Sequence, residues 1–106
     1  MGHLAIENHD APLYTVGEVA QMLEVPHAYL RRLENFDLVS PRRSPGGQRR
    51  YSRREIVRVE RVNSLVDEGL TLAAARRVLM LEDRLAELEV SLGPLRAPAW
   101  HNGGDR

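Results

Sequence analysis

The side chains most suited to binding a ligand in this sequence are arginines, and most of them lie in its middle third. Residues 31–61 carry ten arginines against four carboxylates, a local charge of +6, whereas the whole chain of 106 residues has a formal net charge of zero. The guanidinium group binds phosphate and guanine through paired hydrogen bonds. A basic segment inside a neutral chain is therefore typical of a nucleic-acid-binding surface.

No residue pattern predicts catalysis or a resident cofactor. The chain has no cysteine, which excludes disulfides, thiolate metal sites and thiol redox chemistry. Its four histidines are scattered at positions 3, 9, 27 and 101, so they indicate neither a metal site nor a catalytic base. The Gly46-Gly47 pair lacks the Lys-Ser/Thr that follows in a phosphate-binding P-loop. We therefore expect no enzyme activity, no cofactor and no metal.

Two short helices must position the first of these arginines. Thr15 with Glu18 three residues later forms a capping box, and apolar residues at helical spacing predict a helix over 16–23. Pro26 suits the first position of a second helix, predicted over 26–35, in which Leu30 and Leu33 face inward. Two short helices joined by a tight turn form a helix-turn-helix. In that motif the start of the second helix enters the major groove.

The other arginines flank a turn. Pro45-Gly46-Gly47 has strong turn chemistry, and the short runs on either side predict a two-stranded β-hairpin wing. Phosphate contacts set affinity and register, and only the helix contacts read bases directly. Tyr29 could reach a base edge or pack on the turn. The candidate DNA-binding residues are Thr15, His27, Tyr29, Arg31, Arg32, Arg42, Arg43, Arg49, Arg50, Tyr51 and Arg54.

The order helix, turn, helix, LVSP and arginine-bearing loop resembles the winged-helix domain of the MerR family of bacterial transcription regulators. The loop and the following segment 52–56 carry the resemblance, which covers about residues 13–79, and the SPRR and GGQRRYS runs are most similar to the heat-shock-repressor branch. The resemblance implies that Arg49 and Tyr51 contact backbone phosphate and that Arg31 is the recognition-helix arginine. Base preference is left open by departures from the family pattern at Pro26, Ala28, Arg32, Leu33 and Gln48.

Residues 36–39 turn the chain between the second helix and the wing. Phe36 and Leu38 are expected to pack under the helices. Asp37 stands where the resemblance implies glycine, which readily adopts the left-handed conformation that ends a helix. Asp tolerates that conformation better than most residues, so we expect the turn to be kept.

A third helix begins at a second capping box, formed by Ser52 and Glu55, and is predicted to run to about Glu68, with Gly69 as its stop. Its predicted buried stripe consists of Ile56, Val59, Val62 and Val66. A second stripe consists of Arg54, Arg58 and Arg61. Like charges at this spacing repel one another without an anion nearby, so this stripe faces either phosphate or solvent.

A fourth helix is capped by Thr71 and predicted over about 72–80, and its pattern continues without a breaker to Leu92. Its apolar residues alternate by three and four, as in a coiled-coil seam formed by Val78, Leu81, Leu85, Leu88 and Leu92. A helix this short is marginal alone in water, so the seam packs on its own domain or on a second subunit. The resemblance favours the second subunit, because MerR-like proteins dimerise through an antiparallel coiled coil.

These elements predict a mainly α fold, a winged helix-turn-helix with a small β-hairpin wing and a C-terminal coiled-coil helix. We expect a flexible arm over 1–12, the winged-helix domain over 13–80, the dimerisation helix over 81–92 and a disordered tail over 93–106. No apolar run approaches the ~20 residues of a membrane span, and the N-terminus lacks the pattern of a signal peptide. We therefore expect a cytoplasmic protein that is nucleoid-associated when bound to DNA.

The resemblance also implies a specific role. The heat-shock-repressor branch represses chaperone genes by binding an inverted repeat as a dimer, with a DnaK-type chaperone as co-repressor. Few residues follow Leu92, which we expect to leave little room for a sensor of small molecules or metals. Two alternatives stay open: another effector-less MerR-like regulator, and a protein-binding adaptor that modulates J-domain co-chaperones. The local charge of +6 speaks against the adaptor.

Overall fold

The computed structural model describes residues 8–92, so the predictions for residues 1–7 and for the tail over 93–106 lie outside the described residues. The chain divides into two compact units, Met1–Arg76 and Arg77–Arg106. The described range holds four helices and three short strands. They are β1 (Tyr14–Thr15), α1 (Val16–Leu23), α2 (His27–Asn35), β2 (Arg42–Arg43), β3 (Arg49–Tyr51), α3 (Arg53–Asp67) and α4 (Leu72–Leu92).

Side-chain caps begin three of the four helices, as the sequence predicts. The Thr15 hydroxyl accepts the Glu18 N–H at 3.1 Å, and the Glu18 carboxylate accepts the Thr15 N–H at 2.8 Å. Ser52 and Glu55 make the same reciprocal pair at 3.1 and 3.0 Å. The Thr71 hydroxyl accepts an N–H of the first turn of α4 at 3.0 Å. Helix α2 differs, because Pro26 is its N-cap and not its first residue and makes no side-chain cap bond.

Left-handed residues end the first two helices. Glu24 closes α1 at φ 57° and Asp37 follows α2 at φ 59°, so the turn predicted at Asp37 is kept. Gly69 stops α3 at φ +103°, a conformation that strains any residue with a side chain. The position of Phe36 is a correction: its side chain is 38% exposed, whereas Leu38 is buried as predicted. Phe36 is the C-cap of α2, where the chain leaves the helix.

The core of the Met1–Arg76 unit joins all its helices and the sheet. Its largest fully buried side chains are Val19, Leu30, Leu33, Leu38, Tyr51, Val59 and Val62. On α3 the buried stripe ends at Leu65 and not at the predicted Val66, which is half-buried. Leu65 lies three positions after Val62, so it continues the same helical face.

The wing is part of a three-stranded antiparallel sheet with the order β1-β3-β2. The predicted β2–β3 hairpin is present, with Arg42 opposite Arg50 and Arg43 opposite Arg49. Strand β1 is an addition that the sequence did not predict; it places Tyr14 opposite Tyr51. Its two residues are too few to show the alternation by which a strand is recognised.

Helix α4 runs without interruption through position 80 to Leu92. In the Arg77–Arg106 unit, Val78 is half-buried, and the other four predicted seam residues are exposed. The exposed fractions of Leu81, Leu85, Leu88 and Leu92 are 69, 57, 52 and 51%. These four leucines form an apolar stripe that faces solvent in the single chain.

Candidate nucleic-acid interface

Helix α2 presents a basic exposed face. Leu30 and Leu33 are fully buried on its inner side, while Arg31 and Arg32 are exposed, and so is His27 in the first turn. Within residues 8–92 none of these three polar side chains makes a hydrogen bond or an ion pair. They are therefore available to a ligand, as the sequence predicts, and their contact with DNA stays a prediction.

The two faces of the wing differ in how their arginines are held. Residues opposite each other in an antiparallel pair project from the same face, and neighbours along a strand from opposite faces. Arg42 and Arg50 thus share one face, here called the outer face. Arg43 and Arg49 share the other, the inner face, together with Tyr51.

The outer face carries two like charges side by side. Arg42 is exposed, Arg50 is half-buried, and neither forms a hydrogen bond or an ion pair with a described residue. Like charges directly opposite each other destabilise a sheet. An anion between them would remove that repulsion, so the outer face is suited to a phosphate group.

The inner face is held to α2 by a single carboxylate. Glu34 Oε1 accepts the Arg49 Nε–H at 2.5 Å, and Glu34 Oε2 accepts the Tyr51 O–H at 2.8 Å. The Arg49 side chain is 26% exposed, and Tyr51 is fully buried. The predicted phosphate contact of Tyr51 is thus corrected: its ring lies in the core, and its hydroxyl is bound within the protein.

Tyr51 is kept in its neutral form by this environment. Burial raises the pKa of the Tyr51 hydroxyl well above its usual range, and the hydrogen bond to Glu34 and the charge of that carboxylate act in the same direction. Ionised Tyr51 would be a second negative charge beside Glu34 in a buried site. The hydroxyl is therefore a fixed hydrogen-bond donor at ordinary pH.

Tyr29 is bound to α3. Its half-buried hydroxyl donates to Asn63 Oδ1 at 2.6 Å. Burial raises the pKa of Tyr29, as does the negative charge of Asp67, while Arg32 lowers it. Of the two alternatives for Tyr29, base contact or packing, the structure therefore supports packing, although on α3 and not on the turn.

Three further candidates have partners within the protein. The Thr15 hydroxyl is used by the α1 cap. Arg43 Nη1 donates to the Gly47 carbonyl oxygen at 2.9 Å, which closes the turn of the wing. Arg54 Nε donates to Asp10 Oδ1 at 2.6 Å, and the Arg54 backbone N–H donates to the His9 carbonyl oxygen at 2.9 Å. Residues 9 and 10 of the predicted flexible arm thus lie on the start of α3.

The second arginine stripe is divided as well. Arg58 Nε donates to the Leu38 carbonyl oxygen at 2.6 Å and is half-buried, so this side chain holds the turn after α2. The polar residues that the sequence did not single out are the acceptors Glu34, Asn63 and Asp10. Each lies far along the chain from its donor, and no local pattern marks it.

Two other kinds of feature were sought among the described residues, a metal-ligating cluster and a membrane-spanning helix. Within residues 8–92 no group of three or more histidine, aspartate and glutamate side chains could hold a metal ion. No helix in that range is long and apolar enough to cross a membrane.

Sequence comparison places this arrangement among known regulators. The model of the MerR HTH family of regulatory proteins matches residues 14–81. A putative heat shock protein HspR of Streptomyces coelicolor is 38% identical over 89 residues, which cover 83% of this chain and 59% of that protein. The HTH-type transcriptional regulator GlnR of Bacillus anthracis is 28% identical over 81 residues, covering 76% and 63%. The chain spans about three fifths of the length of these relatives.

Two solved structures have the same fold. A MerR-family transcriptional regulator from Bacillus cereus superposes with a TM-score of 0.60 at 18% identity, over 86% of this chain and 72% of that one. The second is HiNmlR, a MerR-family regulator that lacks the sensor domain and is bound to promoter DNA. It superposes with a TM-score of 0.59 at 18% identity, over 85% of this chain and 79% of that one. With the match of the family model, these findings show that the chain belongs to the MerR family of helix-turn-helix transcriptional regulators.

Proposed function

We propose that this regulator binds specific double-stranded DNA through two surfaces, the exposed face of α2 and the outer face of the wing. The proposal rests on one observation: some arginines of this region are bound within the protein and others are not. Arg43, Arg49, Arg54 and Arg58 are bound within the protein, whereas Arg31, Arg32, Arg42 and Arg50 have no hydrogen bond or ion pair within residues 8–92. Four cations left in this state on adjoining elements fit a phosphate backbone.

The two surfaces have different tasks in this proposal. Arg42 and Arg50 bind phosphate, which sets affinity and register. His27 and Arg31 lie near the start of α2 and contact base edges, with Arg32 on the adjacent strand backbone. A guanidinium that binds guanine through two hydrogen bonds discriminates against other bases by about 1–3 kcal/mol.

We further propose that the protein acts as a dimer on an inverted repeat. The apolar stripe of Leu81, Leu85, Leu88 and Leu92 on α4 is more than half exposed at each position. Its spacing of four, three and four is that of a coiled-coil seam. A two-fold pair of such helices is self-complementary, and a two-fold protein matches a DNA site with two-fold symmetry.

The regulated circuit is proposed from the relative that carries a heat-shock name. At 38% identity over 83% of this chain, the HspR relative supports a repressor of heat-shock and chaperone genes. In that role a DnaK-type chaperone is the co-repressor, and unfolded protein releases the genes by withdrawing it. The protein would act in the cytoplasm, associated with the nucleoid when bound to DNA.

The first experiment is a genome-wide selection of DNA fragments by the purified protein, followed by titration of the best site. A specific dimer complex is expected at a Kd of about 10⁻⁸ M or tighter and weakens steeply with salt. The double variant R42A/R50A should lose most of this affinity and keep its fold. R77A/R84A removes the same charge from α4 and serves as the control. Equal affinity of the two double variants would contradict the role of the outer face.

The second experiment tests the circuit. The selected site is titrated with and without the DnaK-type chaperone. Enrichment of an inverted repeat upstream of chaperone genes, bound more tightly with the chaperone, supports the heat-shock role. Enrichment elsewhere without a chaperone effect identifies a regulator of another circuit. No enrichment of any fragment favours the protein-binding adaptor.

A further inference from the structure

Glu34 is a carboxylate at the junction of the two proposed DNA-binding surfaces. It lies on α2, two and three residues after Arg32 and Arg31, and its side chain is 14% exposed. DNA is a dense array of negative charge, so a carboxylate here opposes binding. Its presence calls for a function that outweighs this repulsion.

The geometry of its bonds indicates that function. Both carboxylate oxygens are used, one by Arg49 Nε–H and the other by Tyr51 O–H. These two donors are alternate residues of β3, the central strand of the sheet, and therefore project from the same inner face. Two bonds from one side chain to one strand restrict both the position and the tilt of the wing relative to α2. Hydrogen bonds to an ionised acceptor are also the strong ones.

We propose that Glu34 is a positioning residue that couples the wing to the recognition helix and so determines the specificity of DNA binding. This inference rests on the DNA-binding function proposed above. The coupling fixes the distance between the phosphate contacts at Arg42 and Arg50 and the base contacts at His27 and Arg31. Specific binding needs both sets of contacts in register at the same time. Nonspecific binding depends on charge and needs no such register.

The variant E34Q separates positioning from charge because the two effects have opposite signs. Glutamine has the same shape but replaces one acceptor oxygen by an NH₂ group, so it cannot accept from Arg49 and Tyr51 in the native way. If Glu34 acted only through its charge, E34Q would bind every DNA more tightly. If it positions the wing, operator affinity falls, by about tenfold for the loss of one charge-assisted hydrogen bond. Affinity for unrelated DNA is then unchanged or higher.

The measurement is the ratio of operator to nonspecific affinity at one fixed salt concentration, with thermal unfolding of each variant recorded alongside. E60Q is the matched control: it removes the same charge from an exposed position of α3 that has no ion pair within residues 8–92. We expect E60Q to keep the ratio of the wild type. A parallel rise of both affinities in E34Q overturns the proposal.

A second variant keeps the test decisive if E34Q does not fold. Y51F removes only the hydroxyl, retains the ring in the core and leaves the charge of Glu34 in place. We expect a smaller loss of the affinity ratio in Y51F, in protein that is fully folded at the assay temperature. An unchanged ratio in Y51F also overturns the proposal. The proposed function is judged separately, since it fails if the wild type prefers no DNA fragment.

Discussion

Side chains of the same type are held in different ways in this protein. Arg49 and Arg50 are neighbours in sequence and chemically identical, yet Arg49 is bound to Glu34 while Arg50 has no hydrogen bond or ion pair within residues 8–92. The alternation of a strand separates them, because it sends one side chain to the inner face and the other to the outer face.

Tyr51 is expected to make the stability of the fold sensitive to alkaline pH. Its pKa is raised in the folded state by burial and by Glu34, so the neutral hydroxyl stabilises the fold fully below the pKa of about 10 in the unfolded chain. This contribution is lost as the pH rises above about 10 towards the folded pKa. We expect wild-type stability to fall in that window and Y51F stability to fall less. Thermal unfolding from pH 8 to 11 measures it.

Tyr14→Phe is the control for this prediction. It removes a hydroxyl from the paired position on β1, where the side chain has no hydrogen bond within the described residues. This variant therefore leaves the Tyr51–Glu34 bond in place. A Y51F curve parallel to the wild type at every pH would contradict the prediction.

Replacing the left-handed residues at the helix ends with glycine is expected to stabilise the fold. Glu24 adopts φ 57° without the local compatibility of Asp or Asn. Glu24→Gly should therefore stabilise the protein by about 0.5–1 kcal/mol, and Asp37→Gly by less. Denaturant unfolding measures both. Glu68→Gly changes a residue of the same type at φ −81°, where glycine brings no relief and should destabilise.

At the scale of elements, the caps and turns follow from short-range chemistry, and the contacts between elements do not. Helix α3 illustrates both. Its capping box joins Ser52 to a residue three positions away, and its first turn is also held by the N-terminal segment through Asp10 and His9. The first contact was predicted from spacing. The second requires two segments that only the fold brings together.

The Asp10–Arg54 ion pair is expected to compete with DNA. Arg54 was a candidate phosphate contact, and Asp10 occupies its Nε–H and offsets its charge. The pair is well exposed, with side chains 61 and 66% accessible, so its contribution is small. D10N should tighten DNA binding by about two- to fivefold, the range of an exposed ion pair. Titration at low and at physiological salt measures the change.

A double-mutant cycle identifies the origin of this effect. If D10N acts by releasing Arg54, it should have no effect in an R54A background. A gain that persists in R54A would mean that Asp10 acts through its charge alone. In the D10N background, where Arg54 is released, R54A should reduce the salt dependence by about one phosphate contact, a change in slope of about 0.9.

For the whole molecule, the exposed stripe of α4 is the feature that a single chain does not satisfy. Four leucines at coiled-coil spacing are each more than half exposed. Removing apolar surface from water is favourable by about 25 cal/mol per Å², so covering this stripe would stabilise the protein. A second copy of the same helix would present a matching stripe and could cover this one. The dimer proposed above rests on this match.

L85E/L88E should convert the protein to a monomer. The substitutions bring charge into the centre of the proposed seam, where ionised groups would be buried. Analytical ultracentrifugation should show a single chain of about the sequence mass, and operator binding should weaken because the two half-sites are no longer joined. V90E is the control, since Val90 is 81% exposed and off the seam. A dimer in L85E/L88E would exclude this stripe as the interface.

The sequence by itself determined the bounds of α1 and the caps of three helices, because these depend on residues at most a few positions apart. It also determined the wing hairpin, the basic segment and, from these elements, the fold class, which the structure confirms. The resemblance supplied the left-handed turn at Asp37, which the structure confirms, and the family, which the comparisons confirm.

Only the tertiary structure decided which arginines are available. The acceptors of Arg49, Tyr51, Tyr29 and Arg54 lie 15, 17, 34 and 44 residues away along the chain. No periodicity or cap pattern extends over such distances, so these pairs follow from packing and not from local preference. The same reason explains the unpredicted strand β1 and the burial of Tyr51. Local chemistry gives this chain its elements, and long-range contacts select which of its side chains face a ligand.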